Sequence, residues 1–164
     1  MARCLIIGCG CRGRLLATEL RERGHVIRGT TRDPARVGEI EAAGAEAVVG
    51  DPDRIATIAH ALDHVTIAYL LFGSATGPPE LVRALHETRL EMLLSKMLDT
   101  TIHGIVYEAA GSVAPDVLRA GGSLVRSVCE GSRIPYLLMD ADPNDHAAWA
   151  RAAADAAATV LLSA

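Results

Sequence analysis

A chain of 164 residues with a net charge of −4, whose 16 basic residues include a single lysine, Lys96, is read as one domain over residues 1–164. Half of the residues are apolar and 3% aromatic, so the core must be built from Ala, Val, Leu and Ile, a composition that suits helices on a buried parallel sheet. The acidic balance leaves no basic stripe for nucleic acid, no apolar run reaches the roughly 18 residues of a membrane span, and four cysteines without C-x-x-C pairs exclude a zinc site and imply a reducing cytoplasm.

The predicted elements alternate. Strand one covers Arg3 to Ile7 with no room for a signal peptide before it, and helix one runs from Arg12 to Arg23 with Leu15, Leu16 and Leu20 inward and Gly24 as its cap. Strand two is His25 to Thr30, and helix two opens at Pro34 and ends at Gly44. Strand three is Ala45 to Val49, followed by a short helix from Asp53 to Leu62 and strand four from Val65 to Phe72. Gly73 to Pro79 is a loop, Glu80 to Leu98 one long amphipathic helix, and Gly104 to Ala109 strand five. Two helices, Pro115–Ala120 and Ser123–Glu130, lead to strand six, Pro135 to Met139, and the last helix starts near Asn144. Six strands with intervening helices predict an α/β, doubly wound parallel sheet of order 3-2-1-4-5-6.

The first loop carries the chemistry. Cys4 to Gly13 reads C-L-I-I-G-C-G-C-R-G, an apolar strand running into G-x-G-x-x-G. Gly8 permits the tight turn, Gly10 lets backbone approach a diphosphate, and Gly13 lets helix one approach the strand. Amide groups at that helix N-terminus would hold the phosphates. Cys9 and Cys11 straddle Gly10, either as small residues beside the diphosphate or as thiols activated by the helix terminus. Arg12 lies within reach of a phosphate.

Cofactor choice is expected at the end of strand two, which reads Thr30-Thr31-Arg32-Asp33. Two hydroxyls and a guanidinium suit the 2′-phosphate of NADP, because arginine makes paired contacts to phosphate. Asp33 is the rival, an NAD-type carboxylate, yet immediately before Pro34 it also serves as a helix N-cap. Asp51 after strand three lies near the adenine or caps the next helix, and Phe72 and Gly73 end strand four where backbone nears the cofactor. Tyr107 and Ser112 are the candidate proton donors, against a packed strand tyrosine as the alternative. His60 and His64 lack a third ligand, so no metal is expected.

The run I-I-G-C-G-C-R-G-R-L-L-A-T-E-L-R-E-R-G-H, then T-T-R-D-P-A-R, and I-V-Y-E-A-A-G-S at strand five resemble the atypical short-chain dehydrogenase/reductases, which are NAD(P)-binding and epimerase-like. The resemblance implies Gly8, Gly10, Gly13, Thr31 and Arg32 as cofactor residues and Ser112 as a loose match to the active-site serine. Active members use Tyr-x-x-x-Lys. Here Tyr69, Tyr107 and Tyr136 are followed four residues later by Gly73, Gly111 and Asp140. V-V-G-D-P-D-R after strand three is also similar to nucleotide-sensing regulatory domains of potassium transport systems. Three functions follow as expectations: an NADP(H)-sensing module with a protein partner, a reductase or epimerase using an acid such as Tyr107, and a transport-linked regulator. The leucines of Glu80–Leu98 exceed one core face, which suggests either a homo-oligomer, most simply a dimer, or a wide core stripe.

Overall fold

The computed structural model describes Met1–Ala164. Its six strands are β1 (Arg3–Ile7), β2 (Val26–Thr31), β3 (Glu46–Val49), β4 (Ile67–Leu70), β5 (Ile105–Glu108) and β6 (Tyr136–Met139). All pair in parallel, in the expected order β3-β2-β1-β4-β5-β6. Leu5 lies in register with Arg28 on one side and Ala68 on the other. Successive β1 residues therefore serve opposite faces. Cys4 and Ile6 join a core cluster with α1 (Cys11–Glu22) and α7 (His146–Leu162). Leu5 and Ile7 join a second one with α3 (Ile55–Ile58), α4 (Pro79–His86), α5 (Thr88–Leu98) and α6 (Pro115–Ser132). The remaining helix, α2 (Val37–Ala42), follows a 3₁₀ turn at Pro34–Arg36.

Four departures from the sequence reading have a physical reason in the packing. The stretch Glu80–Leu98 is two helices, broken at Glu87, which has φ −122° and ψ −96°. The break follows His86, whose ring is fixed by two buried hydrogen bonds. Leu85, Leu90, Leu93, Leu94 and Met97 are all core, and Leu81, Met92 and Leu98 face outward, so most of the leucine excess goes into packing two helices. Conversely, Pro115–Ser132 is one unbroken helix through Gly121-Gly122. A Cβ at Gly121 would overlap the Tyr107 hydroxyl, and one at Gly122 would stand 3.4 Å from Leu138. These glycines are contacts with the sheet, not helix breaks. Leu15 is 38% exposed, because the buried stripe of α1 is Gly13, Leu16, Ala17 and Leu20. The last helix begins at His146, two residues later than expected, with the Asp145 carboxylate capping Ala148 N–H at 3.2 Å. No helix is long and apolar enough to cross a membrane.

A cleft at the carboxyl edge of the sheet

Parallel strands all end at one edge, and the order reverses between β1 and β4, which opens a crevice there. The structure places a cleft of about 690 Å³ at this point, lined by 20 residues. Gly8, Cys9, Gly10, Cys11, Arg12 and Gly13 of the glycine turn form its floor, with Thr30, Thr31 and Arg32 on one side and Phe72 on the other. Asp51, Gly73, Tyr107 and Ser112 are outside the lining, although Gly50, Pro52 and Ser74 are within it.

The turn is built as its glycines require. Gly8 has φ +85°, and a Cβ there would stand 2.8 Å from the Leu71 carbonyl. Gly13 lies against Ile6 and Cys9. Gly10 differs: nothing lies within 4 Å of the position a Cβ would take. Internal packing therefore does not demand glycine at position 10, and the open space above it suits an approaching ligand. Gly10 is also the N-cap of α1 with no side-chain cap. The first amides of the helix are thus left for an anion, which the helix dipole favours. This open cradle fits the diphosphate of a dinucleotide.

The hydroxyls have separate duties. Thr30 is buried and its Oγ1 accepts from Gly8 N–H at 3.3 Å, while its carbonyl accepts from Cys9 N–H at 3.0 Å, so it braces the turn. Thr31 is half-buried at the rim and accepts from Asp33 N–H at 3.1 Å. Asp33 lines the cleft but its carboxylate caps Ala35 N–H at 2.9 Å. The Asp51 carboxylate accepts from Asp53 N–H at 2.9 Å, ordering the turn after β3. Cys9 is buried against Gly29 and Gly13, and burial pushes its thiol up to about 11. That leaves Cys9 un-ionised near neutral pH, whereas Cys11 is exposed.

Sequence reasoning missed two arginines of the lining, Arg14 and Arg36. Glu39 of α2 pairs with both, at 3.0 Å and 3.1 Å. The signal was available: Arg14 follows Gly13 directly, and Arg36 lies on the first turn after Pro34. Arg32 is the least engaged of the group, 55% exposed with only Asp53 at 3.8 Å. The lining holds four arginines against one aspartate, in a chain whose net charge is −4.

Across the reversal point the chemistry changes. Arg12 reaches away from the turn to Glu108 at the end of β5, at 2.9 and 3.1 Å, and to Ser74 Oγ at 3.2 Å. Its guanidinium lies 5.2 Å from the centre of the Trp149 ring. Glu108 is fully buried and also accepts from Gly73 N–H at 2.8 Å. Burial pushes its carboxyl above the ordinary range, while Arg12 and the Gly73 amide pull it back. Arg12 Nε and the Trp149 indole N–H are buried here without hydrogen-bond partners.

Tyr107 faces the other way. It is fully buried and its hydroxyl lies 2.6 Å from His86 Nδ1. His86 Nε2 lies 2.9 Å from the Phe72 carbonyl, which only accepts. The proton therefore sits on Nε2, and Nδ1 accepts from the tyrosine. Burial lowers the His86 pKa, keeping the ring neutral, and raises that of Tyr107. Ser112 is exposed on the loop after β5.

The order-reversing sheet, the glycine turn and the uncapped helix define a dinucleotide-binding Rossmann domain. Residues 8–107 match the NAD(P)H-binding family, and the chain belongs to it. No curated protein matches. Solved structures do. Triphenylmethane reductase from Citrobacter sp., complexed with NADP(H), is 19% identical with a TM-score of 0.65, over 84% of this chain and 48% of that one. UDP-glucuronic acid 4-epimerase from Bacillus cereus, in complex with NAD, is 13% identical with a TM-score of 0.66, over 84% and 55%. Vestitone reductase from alfalfa is 16% identical with a TM-score of 0.62, over 85% and 56%. At these identities the likeness is one of fold, and this chain spans about half the length of those proteins. One of them holds NADP(H) and another NAD.

Proposed function

We propose that this chain is an NADP(H)-binding module that acts through occupancy, changing a contact with a protein partner rather than turning over a substrate. The observation that carries the cofactor choice is the end of β2. Its last residue is Thr31, the next is the loosely held Arg32, and the cleft around them is rich in arginine. A carboxylate at that point would accept the ribose hydroxyls of NAD and repel a 2′-phosphate. Asp33 lies two residues beyond the strand and is used as a cap. Arg32 and Thr31 would hold the 2′-phosphate, with Arg14 and Arg36 adding positive potential, and the α1 amides would hold the diphosphate.

NADPH, when bound, supplies a hydride, and a carbonyl that takes it needs a proton donor alongside. The only tyrosine at the β5 end already donates to His86 inside the core, and no lysine stands four residues beyond it. Glu108 is held by Arg12 and Gly73. Those commitments support binding over turnover.

The test is a calorimetric titration with NADPH and NADH on the wild type and on Arg32→Ala. NADPH is expected to bind at least about tenfold tighter, near 1.4 kcal/mol, with the preference lost in the variant. Equal binding of both cofactors to the wild type would sink the NADP reading. Consumption of NADPH with a carbonyl panel would sink the occupancy reading.

A further inference from the structure

We infer that the cleft reads only the 2′-phosphoadenosine diphosphate part of the cofactor and leaves the nicotinamide unread, so that oxidised and reduced forms bind alike. This rests on the NADP reading above and adds which portion of the ligand the protein contacts.

In this sheet order each half, β1–β3 and β4–β6, offers a place for one mononucleotide on either side of the reversal. The first half is open. Its cleft draws side chains from the glycine turn, the β2 end, Gly50 and Pro52, then crosses only as far as the loop after β4 and Leu85 of α4. Nothing from β5, β6 or α7 lines it.

The second half is filled in three ways. Arg12 spans the gap between the glycine turn and β5, and is held by Glu108 and Ser74. The loops after β4 and β5 lie directly on one another: Gly73 N–H donates to Glu108, and Val113 N–H donates to the Gly73 carbonyl at 3.0 Å. A Cβ on Gly73 would come within 2.7 Å of Glu108 and overlap the Ala110 carbonyl, and one on Gly111 would overlap the Gly73 carbonyl. The two loops are thus in backbone contact at Gly73 and Gly111, with no gap between them for a ligand group. Finally, the tyrosine that an oxidoreductase would aim at the ring is turned into the opposite core.

Opening that half would require Arg12 to leave Glu108, stranding a buried carboxylate beside Gly73. A nicotinamide ring, whose carboxamide has two N–H donors, is a poorer partner for that carboxylate than the five-donor guanidinium. The phosphates and adenosine have no such obstacle, since their side of the edge is open. The nicotinamide ribosyl group would then extend into solvent.

The experiment compares four ligands by calorimetry on the intact protein: NADPH, NADP⁺, 2′-phospho-ADP-ribose, which lacks only the nicotinamide, and nicotinamide mononucleotide. The three phosphoadenosine ligands are expected to bind within about fivefold of one another, and the mononucleotide not at all. In parallel, the fluorescence of bound NADPH should keep the emission maximum and intensity of the free dinucleotide. Binding of NADPH or NADP⁺ more than about fivefold tighter than 2′-phospho-ADP-ribose, or enhanced blue-shifted emission, overturns the inference while leaving the NADP reading intact. If none of the three phosphoadenosine ligands binds, the NADP reading itself falls and takes this one with it.

Discussion

At the ends of β1 and β2 the chain stops on glycines and hydroxyl-bearing residues and leaves an open, arginine-rich cleft. At the ends of β4 and β5 two loops close on one another around Glu108, and Arg12 ties them to the glycine turn. Both halves have the same parallel strands, so the difference lies in what the strand ends and the loops after them carry. The uncapped amides and loosely held Arg32 of the open half are polar groups still short of partners. In the closed half Glu108 and the Gly73 amide satisfy one another and Arg12, and the buried donors left over are Arg12 Nε and the Trp149 indole N–H. A site for a charged ligand persists where the protein has not used up its own hydrogen bonds.

The sharpest way to break this contrast is at the latch. Arg12→Met leaves Glu108 buried without its cation and is expected to cost about 3 kcal/mol of stability, because removing one partner of a buried pair is far worse than removing both. The double variant Arg12→Met/Glu108→Gln should recover more than half of that loss. Urea unfolding of the three proteins measures it, and equal stability of the single and double variants would mean that the pair is incidental.

Gly121→Ala tests the backing of the closed half. Its Cβ would overlap the Tyr107 hydroxyl, so a loss of about 2 kcal/mol is expected from overpacking. Gly131→Ala, in the same helix with nothing within 4 Å, should instead gain up to about 1 kcal/mol. Thermal unfolding of the pair reads both signs.

The open half is probed by Arg32→Ala, expected to cost NADPH about tenfold in affinity, near 1.4 kcal/mol, and NADH almost nothing. A similar loss for both cofactors would move Arg32 from the 2′-phosphate to the diphosphate.

The smallest effect concerns pH. The folded Glu108 carboxyl titrates above its unfolded value because burial opposes its charge. Its contribution to stability is therefore full below the unfolded pKa of about 4.3 and is lost as pH rises through the folded value. Glu108→Gln gives up the Arg12 pair at every pH, so the readout is the pH response: from acid to neutral pH its stability should fall less than that of the wild type, by less than about 1 kcal/mol because Arg12 offsets most of the burial cost. A wild type that falls less than the variant would mean that the ion pair outweighs burial.

Periodicity made the fold legible. Alternating apolar strands and helical stripes placed all six strands, and the glycine spacing located the cleft. The glycines misled once, since Gly121-Gly122 read as a helix break. The sequence pattern cannot distinguish a glycine that ends a helix from one that lets it touch a tyrosine from another strand. The reverse error at Glu87 has the same root, because the heptad-like leucines continue across a break set by His86 reaching Phe72 and Tyr107.

The candidate site divides along the same line. The turn at Gly8, Gly10 and Gly13 could be placed from spacing because a tight turn is a local demand on backbone. Arg12, Glu108 and Tyr107 could not. By sequence Arg12 lies within reach of a phosphate, and the fold binds it to a carboxylate 96 residues away; Tyr107 reads as a proton donor or a packed strand tyrosine, and the fold bonds it to a histidine 21 residues before it. Arg28, in the middle of β2, is likewise buried with Glu46 and two carbonyls after α3. Local geometry repeats with a short period and is written in neighbouring residues. The partner of a buried polar group is chosen by how distant segments meet, and only the assembled sheet brings those segments together.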